Sequence, residues 1–140
     1  MTIVAAHPGA EMPADARRLL EILHHHVGRT RAISMIDLYE RWRGERLPRN
    51  ADGQPAVSVP SRSRRMRRLI DDLREVYGVP VASSSSAGYW IAENEKELHD
   101  VINEFRARGL KSLTTAARLK NIPLEREVAQ LALDLAKEDG

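Results

Sequence analysis

The sequence predicts a mainly helical α+β fold, with one small β-hairpin and a helical extension at the C-terminal end. Three observations carry that expectation. Apolar residues recur at helical spacing along most of the 140 residues. The period then changes abruptly after Gly78, where two short apolar runs flank a cluster of serines. Finally, with no cysteine and only two Trp, three Tyr and one Phe, the core must be built mainly from Leu, Ile, Val and Ala, with the aromatics as anchors.

Residues 1–14, with Pro8 and Gly9, read as a loose tail. From Asp15, the set Leu19, Leu20, Leu23 and Val27 predicts a first helix to about His26, closed by Gly28. Its His24-His25-His26 run is a poor metal site, because neighbouring helical residues point about 100° apart and cannot converge on one ion. Imidazoles near a helix C-terminus are the plainer reading. Thr30 to Ile33 suits a short first strand. Ser34 then offers an N-cap, with Asp37 three residues on, and Met35, Leu38, Tyr39 and Trp42 set a second helix over about Ser34 to Arg43.

The stretch 44–60, GERLPRNADGQPAVSVP, has three prolines and two glycines and reads as a loop insertion, either functional or mobile. After the start signal Pro60-Ser61, the residues Met66, Leu69, Ile70, Leu73 and Tyr77 form one face of a third helix, with arginine crowding the others. Gly78 is placed to stop it in a left-handed conformation. Val79 to Ser83 and Gly88 to Ala92 read as the strands of the hairpin, in which Tyr89 and Trp90 point to opposite faces, so that one packs inward and the other is more exposed. Asn94, with Glu97 three residues later, starts another helix through Leu98, Val101, Ile102 and Phe105 to Arg108. Gly109 either ends or only weakens it, since Leu110, Leu113 and Ala117 keep the period. After a break at Asn121 to Pro123, Leu124, Val128, Leu131 and Leu135 make a last amphipathic stripe to about Lys137.

The order of helix, hairpin and aromatic return strand resembles a winged helix-turn-helix, in particular the biotin-repressor-type winged helix. Its recognition helix reads roughly R-R-x-I-x-x-L-R and runs into G-V-P-I and then G-Y-x-L. The matching residues are Arg67, Arg68, Ile70, Leu73 and Arg74, then Gly78, Val79, Pro80 and Val81, then Gly88, Tyr89 and Ile91. Small uncharacterised phage and prophage proteins are similar in this respect, and the likeness covers about half the chain. It implies a winged helix-turn-helix domain over 15–93, interrupted by the insertion 44–60, with a helical extension over 94–140. It also implies that the second helix crosses behind the recognition helix and reaches the DNA backbone with Arg41 and Arg43. The long insertion departs from the three or four residues that usually join the two helices.

The charge distribution points the same way. Between Arg41 and Arg74 there are ten arginines against four acids, in a chain whose formal net charge is only +2. A basic patch on an otherwise acidic molecule suits a polyanion, and all-Arg composition suits forked contacts to phosphate and guanine. The plainer reading is a solvated helix face with a basic loop. Recognition helices present their N-terminal residues to the major groove, so Arg62, Ser63, Arg64, Arg65 and Arg68 are the candidates for base edges. The helix N-terminus adds a phosphate site near Ser61, and Arg46 and Arg49 are candidates for a basic arm. Ser83 to Ser86 add no charge at the hairpin tip.

No phosphate loop, metal-ligand spacing or nucleophile motif is present, so neither enzyme, cofactor nor metal is expected. No run approaches the roughly 18 apolar residues of a membrane helix, and a signal peptide is not evident, which favours a cytoplasmic protein without membrane contact. The expected function is double-stranded DNA binding, as a phage-type transcriptional regulator or as part of a replication or control complex. Leu124, Val128, Leu131 and Leu135 would then form an interface, most simply of a homodimer, or else pack back onto their own chain. The alternative is a protein-protein adaptor acting through its C-terminal helices; RNA binding is a third possibility.

Overall fold

The computed structural model describes residues 11–56 and 62–139. Among them are five α-helices and one two-stranded antiparallel sheet: α1 (Ala14–Leu23), α2 (Met35–Arg43), α3 (Arg64–Glu75), β1 (Val81–Ser84), β2 (Gly88–Ile91), α4 (Glu95–Lys120) and α5 (Leu124–Asp139). The fold class is therefore α+β, predominantly helical. No described helix is long and apolar enough to cross a membrane. The chain divides into two compact units, Met1–Val101 and Ile102–Gly140.

In the first unit, α1, α2 and α3 close around Leu19, Leu23, Leu38, Met66, Ile70 and Leu73, each essentially without solvent exposure. At about 1.5–3 kcal/mol per large apolar side chain, this burial is the main force holding the three helices together. Polar bonds fix their crossing: Trp42 Nε1 donates to the Asp15 carbonyl at 3.1 Å, and Arg18 Nε donates to the Trp42 carbonyl at 3.0 Å. Ser34 caps α2 as expected, its Oγ accepting from the Asp37 N–H at 3.1 Å.

Helix α1 is shorter than its apolar period suggests, and the reason lies in β2. His26 turns its carbonyl to accept from the Ile91 N–H at 2.9 Å, while the Gly28 N–H donates to the Ile91 carbonyl at 2.8 Å. The backbone around Val27 thus pairs with the hairpin instead of continuing the helix. The expected strand at Thr30 to Ile33 is likewise corrected. Arg29–Arg31 form a 3-10 turn, and only Ile33 pairs, bridging Tyr89 in both directions at 2.8 Å. Gly88 makes that bridge possible: its φ is +99°, and a β-carbon there would collide with the Ile33 carbonyl.

The hairpin has the register Val81 to Ile91, Ala82 to Trp90, Ser83 to Tyr89 and Ser84 to Gly88. Its two faces are both covered, which the alternation alone does not reveal. Tyr89 lies against the main core, and Trp90 is buried on the other face with Ala82 and Val101. Trp90 Nε1 donates to Glu97 Oε1 at 3.1 Å, and Arg29 lies over the indole at 5.4 Å. Hence the first two turns of α4 belong with the hairpin, and the boundary between the units falls inside α4 at 101/102, not at 93/94.

Two further expectations are corrected. Residues 11 and 12 are tied down, since the Glu11 carbonyl accepts from the Tyr77 hydroxyl at 3.0 Å and Met12 packs on the core. Residues 1–10 of the expected tail lie outside the described residues. The insertion is ordered over 44–56: Leu47 is buried, Arg49 bridges Pro55, and the Asn50 N–H donates to the Gln54 carbonyl at 2.7 Å.

In the second unit, Gly109 does not end α4, which runs unbroken to Lys120. Asn121, with φ +58°, closes it: the Asn121 N–H donates to the Arg118 carbonyl and the Ile122 N–H to the Ala117 carbonyl, both at 3.0 Å. That pair of bonds is a Schellman motif, and Pro123 then starts α5.

Candidate nucleic-acid interface

The apolar stripe of α3 decides where its arginines go. Met66, Leu69, Ile70 and Leu73 are buried, so the opposite side carries Arg64, Arg68, Asp71 and Glu75 in one exposed row. The row is basic at its front and acidic at its rear. Any polyanion approaching this face is attracted only by the first half of the helix.

The ten arginines divide by what they touch. Arg62, Arg64 and Arg68 are exposed and make no ion pair or hydrogen bond among the described residues. Arg65 forms an ion pair with Asp15 of α1. Arg74 is directed inward: its Nε donates to the Val81 carbonyl at 2.7 Å, Nη2 donates to Ser83 Oγ at 3.1 Å, and Nη1 stands 3.4 Å from Asp71 Oδ1. That fork ties the rear of α3 to the base of the hairpin. Arg67 is exposed but has an interaction of its own.

Arg41 and Arg43 are two positions apart on α2 and so point about 200° apart. Arg43 stands 5.9 Å from the Trp42 ring centre and lines a hollow of about 310 Å³ with Tyr39, Trp42, Glu45, Arg62 and Arg65. With three guanidinium groups and one carboxylate, this hollow at the junction of α2 and α3 is electropositive. On another side of α2, Arg41, Arg46 and Arg49 line a second hollow with Asp37, Glu40 and Glu45. There the charges balance, which leaves little attraction for phosphate.

Three expected contacts change accordingly. Ser63 is the residue before α3 and is completely buried, its Oγ 3.7 Å from Met35 Sδ, so it is withdrawn from any base-edge role. Arg49 is not a free arm: its Nη2 donates to Glu40 Oε1 at 2.6 Å, and Glu40 Oε2 accepts the Leu47 N–H at 2.6 Å. Ser61 lies outside the described residues, as do 57–60 of the insertion. Arg46 is exposed, but in the charge-balanced hollow.

The hairpin tip offers no charge. Ser84 Oγ accepts from the Ala87 N–H at 2.9 Å and Ser83 Oγ is taken by Arg74, so two of the four serines serve the turn and the helix anchor. Tyr89 is half-buried behind it; burial holds its phenol above the ordinary value of 10.0, against the opposing pull of Arg74 and Arg67. Sequence reasoning missed Arg29, which covers the Trp90 ring from the 3-10 turn, and Glu97, whose bond from Trp90 fixes α4 to the hairpin. The only signal for Glu97 was its place three residues after Asn94, whose Oδ1 accepts the Glu97 N–H at 2.9 Å. Among the described residues, no group of three or more His, Asp or Glu is placed to hold a metal ion. Set against known protein families, curated proteins and solved structures, the chain has no match.

Proposed function

We propose that the first unit is a winged helix-turn-helix that binds double-stranded DNA with the front of α3. The observation that carries this reading is the set Arg62, Arg64 and Arg68, exposed around the start of α3 and without an ion pair or hydrogen bond among the described residues. Forked donors there suit the N7 and O6 atoms of guanine and the oxygens of phosphate. The basic hollow beside Arg43, Arg62 and Arg65 suits a backbone phosphate next to the groove. Support for the fold comes from the element order, from the Ile33 bridge to Tyr89 in the place of a first strand, and from the hairpin that follows α3. The acids Asp71, Asp72 and Glu75 would confine the contact to the first turns of the helix.

On this reading the protein is not an enzyme. It acts in the cytoplasm as a phage- or prophage-type transcriptional regulator, or as a DNA-binding part of a replication or control complex. The uncharged hairpin tip favours a second reading, a winged-helix adaptor whose basic face meets an acidic protein surface. A salt-titrated shift assay on random duplex, single-stranded DNA and RNA, with genomic fragments as competitors, separates them. Salt-sensitive duplex binding with a preferred fragment is the expected result. No binding even at low salt would remove DNA as the ligand and leave the adaptor.

A further inference from the structure

The second unit is built unlike the first, because its apolar side chains are left outside. Leu110, Val128, Leu131 and Leu135 are 51%, 45%, 39% and 52% exposed, although they lie on helices only a three-residue corner apart. Among the described residues the two helices share no extended packing, and Ala117 and Glu127 are the buried residues near the corner. A stripe of exposed apolar side chains along a helix marks an interaction site.

Charge identifies what covers it. From 102 to 120 α4 has one acid, Glu104, which pairs with Arg108 at 2.7 Å, against five basic residues, Arg106, Arg108, Lys111, Arg118 and Lys120. On α5 the stripe Leu124, Val128, Leu131 and Leu135 has the spacing of a heptad seam, with Glu127 and Asp134 along one flank and Glu125 on the other. Pairing α5 with another α5 would set carboxylates against carboxylates, and pairing α4 with α4 would set arginines against arginines. Only α5 against α4 is complementary. The corner already holds one such contact, Lys120 Nζ to Glu127 Oε2 at 2.7 Å.

We propose that α5 of one copy packs on the 102–120 part of α4 in a second copy, and reciprocally, giving an isologous dimer with two equivalent helix pairs. Gly109 fits this arrangement. A β-carbon there would meet nothing within 4 Å among the described residues beyond its own helix backbone, and the notch lies between Phe105 and Leu113 on the apolar side of α4. No residue of α3 takes part, so the dimer stands or falls apart from DNA binding.

The test uses full-length protein in sedimentation equilibrium, with two charge-reversed variants. Arg106→Glu with Arg108→Glu reverses the α4 side, and Glu125→Lys with Asp134→Lys reverses the α5 side. The parent should be dimeric, and each variant alone should dissociate with a Kd raised about tenfold or more. An equimolar mixture should recover the dimer, because every helix pair in the heterodimer is again complementary; that recovery also shows that both variants are folded. A monomeric parent, an α5 variant that dimerises alone as tightly as the parent, or a mixture that stays monomeric would each overturn the proposal.

Discussion

The two ends of α3 use the same side chain for opposite purposes. Around its start, Arg62, Arg64 and Arg68 are exposed and make no ion pair or hydrogen bond among the described residues; at the rear, Arg74 makes two hydrogen bonds into the hairpin base and is only 13% exposed. A guanidinium that serves as a structural strut is desolvated and has its donors occupied, so it has little left for a ligand. One that stays solvated adds little to stability but keeps all its donors for a partner. The rear of the helix should therefore be sensitive in stability and silent in binding, and the front the reverse.

Mutations can break that contrast, in order of expected effect on stability. Gly88→Ala should cost the most, about 3 kcal/mol or more, because both the left-handed φ and the contact with the Ile33 carbonyl forbid a side chain. Chemical denaturation would measure it, and a loss below about 1 kcal/mol would show that the Ile33 bridge is dispensable. Arg74→Ala should cost about 1–3 kcal/mol, since it strands the Val81 carbonyl and frees the hairpin from α3. Its effect on DNA binding should follow only from that loosening, and should vanish when the variant is assayed well below its melting temperature.

A smaller effect sharpens the rear of the comparison by pH. Burial raises the Tyr89 phenol, so the folded protein keeps this proton to higher pH than the unfolded chain does. The corresponding stability is fully present below the ordinary tyrosine value near 10.0 and is lost as pH rises through the raised folded value. Denaturation above that pH should show stability falling for the parent and falling less steeply for Tyr89→Phe. Smallest of all in stability is Arg64→Ala with Arg68→Ala, within about 0.5 kcal/mol of the parent, as for exposed residues without partners.

How far this contrast can be read from the sequence depends on range. The buried stripe of α3, the caps at Ser34 and Asn94 and the break at Asn121 rest on neighbours within a turn or two, and the structure has them where the spacing places them. The end of α1 does not, because the carbonyl of His26 is claimed by Ile91, far along the chain. Nor does the fate of individual arginines. Arg65 finds Asp15 in another helix, Arg49 finds Glu40 across the loop, and Ser63 is sealed against Met35 of α2. Local charge counting treats all ten arginines alike; only tertiary contacts separate those already engaged from those left facing solvent.

The central claim is that the exposed Arg64 and Arg68 at the front of α3 meet DNA phosphates and bases. The most direct measurement is the salt dependence of duplex DNA binding for the parent and for Arg64→Ala with Arg68→Ala. The parent should lose affinity steeply with salt, and the double variant should bind more weakly with a log-log slope shallower by about 0.9 for each phosphate contact removed. An unchanged slope and affinity would place the front of α3 outside the interface and contradict the account.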